Sequence, residues 1–79
     1  MKTTGYFERI ARANHPEVQD DWIMRVLAAP LRTQVQADGR IRHWGRIPEF
    51  GNRALRVITE PDGVTVHNAF FDRGFREGP

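Results

Sequence analysis

Seventy-nine residues, 39% hydrophobic and 28% charged, allow one small globular domain and exclude both a disordered tract and a second domain. Cysteine is absent, so neither a disulfide framework nor a thiolate zinc site is available, and no apolar run approaches the ~20 residues of a membrane helix. Net charge is only +2, yet residues 39–58 carry Arg40, Arg42, Arg46, Arg53 and Arg56 against Glu49 alone, and the planar arginine fork suits phosphate and carboxylate.

The N-terminal stretch MKTTGYFERIARANHP has no apolar core segment, so a secretory leader is not expected and a cytoplasmic location is. Residues 5–14 place Tyr6, Phe7, Ile10 and Ala11 on one stripe at helical spacing, which predicts a first helix. Asn14-His15-Pro16 ends it, because a residue before proline avoids helical angles. A second helix is expected from Gln19 to Ala29. Asp20 and Asp21 occupy its first turn, where the helix dipole favours acids. Trp22, Ile23, Val26 and Leu27 form its apolar stripe, and Pro30 stops it.

After Pro30 the period falls to two. LRTQVQA alternates Leu31, Thr33, Val35 and Ala37 with Arg32, Gln34 and Gln36, a strand pattern. Asp38-Gly39 then suggests a two-residue hairpin turn, with both central residues at positive φ. IRHWGRI is a second strand, residues 48–52 a looser connection, ALRVITE a third strand, Pro61-Asp62-Gly63 a turn and VTVHNAFF a fourth strand. The expected fold is α+β, a single domain over 1–79. Two N-terminal helices pack on one face of a four-stranded antiparallel meander, and the tail frays after about residue 75.

Helices covering one sheet face leave the other for chemistry. In strand four Val64, Val66 and Phe70 oppose Thr65, His67 and Phe71; in strand three Leu55 and Val57 oppose Arg56 and Ile58. With the aliphatic sets inward, Arg56 and His67 share the open face, while Asn68 has inward parity and satisfies backbone groups. Strand two can be read either way. If Ile41 and Ile47 point inward, Arg42, Trp44 and Arg46 join the open face. Arginines contact phosphate, and an exposed indole stacks an unpaired base. A histidine with a pKa of about 6.5 can move the proton of a ribose 2′-hydroxyl, and arginines can stabilise charge developing on the phosphate oxygens. These are the parts of a metal-independent ribonuclease.

Each residue also has a plainer reading. His67 and His43 suit hydrogen-bonded structural roles, and His15 suits the end of a helix. The three histidines lie in separate segments without paired ligand spacing, so no metal or cofactor is expected. Trp22 reads as core, and Trp44 as either core or platform. Asp72-Arg73 reads as a local ion pair, and Phe70, Phe71 and Phe75 as packing that pins the last strand. The arginine stretch also reads as a solvated face that keeps the sheet soluble.

The phrases HPEVQDDWIMRVLAAP, DGRIRHWGRIPEFGNRALRVITEPDG and VTVHNAFFDRGF, spanning residues 15–76, resemble a family of short, uncharacterised bacterial proteins close to the BrnT-type and RelE-like toxins of toxin–antitoxin pairs. The resemblance implies a small α+β endoribonuclease, acting on RNA or ribosome-associated mRNA and held by a cognate antitoxin. By position, basic residues of RelE-like sites map to Arg56 and Arg73. A tyrosine near the C-terminus, present in some such sites, has no counterpart, Tyr6 being the sole tyrosine. The expected catalytic set is therefore His67, Arg56 and Arg73, with Arg42, Trp44 and Arg46 holding RNA. The alternative is a non-catalytic basic module that docks RNA or an acidic protein. A third reading has the open face pairing two copies in a homodimer.

Overall fold

The structure is a computed structural model that describes residues 1–77. It is α+β, with two short helices and a four-stranded antiparallel sheet in the order β1-β2-β3-β4.

The first helical segment is not a plain α-helix. Residues Phe7–Ala11 form a π-turn that continues in α geometry as α1 (Arg12–Asn14), and Arg12 N–H donates to Phe7 O. The wider turn narrows the buried stripe. Phe7 and Ala11 are buried, whereas Tyr6 and Ile10, expected beside them, are exposed. The second helix, α2 (Asp20–Ala28), lies where the sequence puts it, with Gln19 as an N-cap lacking a side-chain cap bond. It buries Trp22, Ile23 and Val26. Its C-cap, Ala29, has already left helical angles ahead of Pro30.

The strands are β1 (Arg32–Val35), β2 (Ile41–Ile47), β3 (Arg53–Thr59) and β4 (Val66–Phe71). The β1–β2 connection is longer than Asp38-Gly39 alone. Gln36 N–H donates to Arg40 O at 2.7 Å and Gly39 N–H to Gln36 O at 3.0 Å, so Ala37, Asp38 and Gly39 form a three-residue loop. Only Gly39 takes a positive φ, of 90°, as in hairpins that end on a glycine bulge. β1 alternates in sequence but has no buried side: all four residues are exposed. It is an edge strand, and α2 packs on β2 and β3.

One core joins the helical segments to the sheet: Phe7, Ala11, Trp22, Ile23 and Val26 pack with Ile47, Leu55, Val57, Val66 and Ala69. Close approach of α2 to β2 rests on Gly45, where an added Cβ would lie 3.0 Å from Val26 Cγ2. A second, smaller cluster of Trp44, Ala54 and Phe75 sits on the opposite sheet face.

The register carries one irregularity that matters for function. Ile58 pairs with Asn68 and Thr59 with Val66, so His67 is an extra residue in a bulge. One inserted residue reverses facing for everything after it. Val66 points into the core as expected, but beyond the bulge Ala69 and Phe71 take the core side and Asn68 and Phe70 the open side. The expectation that Asn68 and Phe70 face inward and Phe71 outward is corrected on this ground.

Phe75 is buried, Arg76 O accepts a bond from Arg32, and Glu77 pairs with Arg46. The remainder of the expected frayed tail, residues 78–79, lies outside the described residues.

Candidate functional site

The open sheet face is organised in rows that follow from register alone. Arg32 pairs with Trp44, Trp44 with Arg56, and Arg56 with Phe70, giving one line of alternating arginine and aromatic across all four strands. The alternation is also a chain of cation–ring contacts. Arg56 lies 5.4 Å from the Trp44 ring centroid and 5.0 Å from that of Phe70, and Arg32 lies 5.9 Å from Trp44. The next row holds Gln34, Arg42, Ile58 and Asn68. Arg42 donates to Gln34 Oε1 at 3.2 Å and Gln36 Oε1 at 3.1 Å. Strand two is thereby settled: Ile47 and His43 are buried on the helix side and Arg42, Trp44 and Arg46 stand on the open side.

Trp44 is nevertheless not an exposed platform. The chain after β4 turns back at Asp72, whose Oδ1 accepts from Gly74 N–H at 2.9 Å, a side-chain-closed turn. This reversal lays Phe75 on the indole, with ring centroids 5.4 Å apart and planes inclined by 18°. Trp44 is only 5% exposed. Asp72 Oδ2 accepts from Trp44 Nε1 at 2.9 Å and from Arg56 Nη2 at 2.7 Å and Nε at 3.1 Å. The expected Asp72–Arg73 ion pair is replaced by this one, because Arg56 and the indole lie across the sheet from Asp72 and Arg73 points away into a neighbouring cleft. Burial opposes ionisation of Asp72. The bonds from Trp44, Arg56 and Gly74 outweigh it and hold the carboxyl below its ordinary range.

His67 does not join Arg56. The bulge and the N-terminal segment hold it elsewhere: Nδ1 lies 3.0 Å from Thr4 Oγ1 and 3.5 Å from Glu60 Oε1, and its ring stacks on Tyr6 at 4.7 Å. None of these contacts joins His67 to Arg56 or Arg73, the other two residues of the expected catalytic set. His43 is buried against Thr59 Oγ1 at 2.9 Å, and burial pushes its pKa down, favouring the neutral ring. His15 caps the end of α1 and tilts against Phe70 at 5.7 Å. No group of three or more potential metal ligands occurs among the described residues.

What the fold does assemble is a corner of arginines. A cleft of about 420 Å³ at one end of the open face is lined by Arg46, Arg53, Arg73 and Arg76 together with Asp72 and Phe75. Three local causes converge there. Gly51 (φ 65°) and Asn52 (φ 52°) reverse the chain in left-handed geometry and deliver Arg53 at the start of β3; asparagine tolerates that region better than most residues. The Asp72 turn delivers Arg73, and the tail that follows delivers Arg76. Most carboxylates are engaged elsewhere: Glu8 and Asp20 hold Arg12, Asp21 and Glu49 hold Arg25, and Asp38 and Glu60 hold Arg40. Arg46 pairs with Glu77, while Arg53, Arg73 and Arg76 have no carboxylate within ion-pair distance among the described residues. The contributions of Arg53 and Arg76 were not legible in strand periodicity, since Arg53 only opens β3 directly after the Gly51-Asn52 reversal and Arg76 lies in the tail beyond β4. The turn formers Gly51-Asn52 and Asp72-Gly74 were the available signal.

Comparison with protein-family models, curated proteins and solved structures returns no match for this chain.

Proposed function

We propose that this protein is a non-catalytic RNA-binding module whose arginine corner and adjoining sheet face hold the sugar–phosphate backbone. The observation that carries the reading is the convergence of Arg46, Arg53, Arg73 and Arg76 on one cleft, three of them without a carboxylate partner among the described residues. Guanidinium groups bind phosphate through paired N–H donors. Arg32 and Arg42 continue the basic track along the same face. Backbone contacts of this kind fix position without reading sequence, so the module binds single-stranded RNA with strong salt dependence and little base preference.

The endoribonuclease reading rests on the resemblance to BrnT-type and RelE-like toxins. It needs a proton-transfer group beside the arginines. The expected candidate, His67, makes its contacts with Thr4, Tyr6 and Glu60 instead. An antitoxin of the kind that resemblance implies would present acidic side chains to the same arginines and compete with RNA.

Fluorescence anisotropy with a labelled unstructured RNA, followed by a denaturing gel of the same sample, tests the reading. Wild type binds and leaves the RNA intact. The Arg53→Ser/Arg73→Ser variant loses roughly tenfold or more in affinity, and His67→Ala binds as wild type does. RNA cleavage that disappears in His67→Ala would replace this reading with the nuclease one. No binding by folded wild type at low salt would end it.

A further inference from the structure

The two edges of the sheet are unlike. At the β4 edge the chain's own N-terminus runs alongside the strand: Thr4 N–H donates to Val66 O at 3.0 Å, and Val66 N–H donates to Lys2 O at 2.9 Å. The π-turn Phe7–Ala11 packs against the same strand. At the β1 edge no described segment does this. All four β1 residues are exposed, with Val35 at 68% and neighbouring Leu31 at 55%. An open row of strand N–H and C=O groups beside exposed aliphatic side chains is a template for another strand.

The ladder fixes which groups are offered. Gln36 donating to Arg40 O marks a hydrogen-bonded pair in the β1–β2 register. In an antiparallel ladder such pairs recur every second residue, so Arg32 and Gln34 bond to β2. Leu31 N–H also turns to β2, donating to Trp44 O at 2.7 Å, so Leu31 offers only its carbonyl outward. Thr33 and Val35 turn their backbone groups outward. Along this edge the side chains of Leu31, Thr33 and Val35 share the helix side, and those of Arg32 and Gln34 share the open side.

We propose that β1 pairs antiparallel with β1 of a second copy about a two-fold axis at Thr33, joining the two sheets into one. The sequence of the edge is self-complementary in that register. Thr33 meets Thr33 of the second copy in a doubly bonded pair. Each Val35 N–H faces the Leu31 carbonyl opposite, which places the two exposed aliphatic side chains against each other. Each Arg32 meets a neutral Gln34 amide, so no like charges stand directly opposed. A register centred on Gln34 would set Leu31 against Ala37 in the hairpin loop and centre the pairing on a residue whose backbone already bonds β2. Because the N-terminus covers the β4 edge of each copy, the assembly closes at two. The interface goes beyond the RNA-binding reading and does not depend on it, although it would make the basic open faces of two copies continuous.

Sedimentation equilibrium over a wide concentration range, on wild type, Thr33→Pro and Val35→Lys, tests the interface. Thr33 N–H points away from β2, so proline there removes no bond to β2. Val35→Lys alters only an exposed side chain, and far-UV circular dichroism checks both folds. Wild type should rise from 9.1 kDa toward twice that mass, while each folded variant associates at least roughly tenfold more weakly. Wild type that stays monomeric at every concentration overturns the proposal. So do variants that dimerise like wild type, and so does growth beyond two copies. If Thr33→Pro fails to fold, Val35→Lys alone decides.

Discussion

Asp72 and Arg56 form an ion pair at 2.7 Å in which the carboxylate is 13% and the guanidinium 24% exposed, and the same carboxylate oxygen also accepts the Trp44 indole N–H. One side chain on the returning tail thus neutralises the central arginine of the open face and fixes the orientation of its tryptophan. The consequence is a division of labour. Arg56 and Trp44 are held by the returning tail, and the arginines of the neighbouring cleft are the ones we propose meet a ligand.

Removing that carboxylate should cost stability and help binding. Asp72→Ala leaves Arg56 and the indole N–H without their partner, a loss of about 1–2 kcal/mol once partial solvent screening of Arg56 is allowed for. Deleting a negative charge from the edge of the arginine cleft should at the same time tighten RNA binding. Urea unfolding and anisotropy titration of the same preparation read both effects. A variant that is destabilised but binds RNA less well would argue that anchoring Arg73 and Arg76 through Asp72 matters more to binding than the negative charge removed.

The same group sets a pH dependence. Its folded pKa is depressed below the unfolded value of about 3.9. The stabilisation is therefore fully present above the unfolded pKa and is lost as pH falls through the lower folded one. Thermal melts of wild type and Asp72→Asn should differ at neutral pH, and the gap should close in the acid limb below about pH 4. A gap that is constant down that limb would mean Asp72 is not the group responsible.

Phe75 is the lid on Trp44. Phe75→Ala should cost about 2 kcal/mol, less than a fully interior Phe-to-Ala change because the cluster is small and lies near the surface. It should shift the indole emission to the red and admit acrylamide quenching. The same substitution placed on Trp44→Phe should show no such change, which assigns the signal to Trp44 and not to Trp22. Unchanged emission in Phe75→Ala would show that the ring stack at 5.4 Å does not shield the indole in solution.

Gly45 is held small by packing. A Cβ there would meet Val26 Cγ2 at 3.0 Å and Cγ1 at 3.4 Å, and Val26 is a stiff, buried β-branched side chain with little room to turn. Gly45→Ala should destabilise by about 1–2 kcal/mol through displacement of α2. Chemical unfolding measures it, and a neutral or stabilising result would show that α2 slides without penalty.

Much of the architecture could be read from the sequence because it rests on local signals. The switch from a period of 3.6 to a period of two at Pro30 places α2 and the strands, and the inward aliphatic set of β3 is visible as Leu55 and Val57 opposing Arg56. The candidate site was legible only in part, and the reason is a single residue. Nothing in VTVHNAFF announces a bulge, yet the extra residue at His67 reverses the facing of Asn68, Phe70 and Phe71 and takes the imidazole away from Arg56. The return of the tail onto Trp44 was equally hidden, because it depends on Asp72 finding one partner on the neighbouring strand, Arg56, and one a strand further, Trp44. Long-range pairing of this kind leaves no periodic trace.

We propose that arginines at the cleft, and not an imidazole, carry the function. The most direct measurement is the salt dependence of RNA affinity for wild type and for Arg53→Ser/Arg73→Ser. Each neutralised phosphate on a single strand contributes about 0.7 to the slope of log K against log salt, so the double variant should flatten that slope by roughly 1.4 and bind more weakly at every salt concentration. Equal slopes for the two proteins would contradict the account and place RNA, if it binds, on another surface.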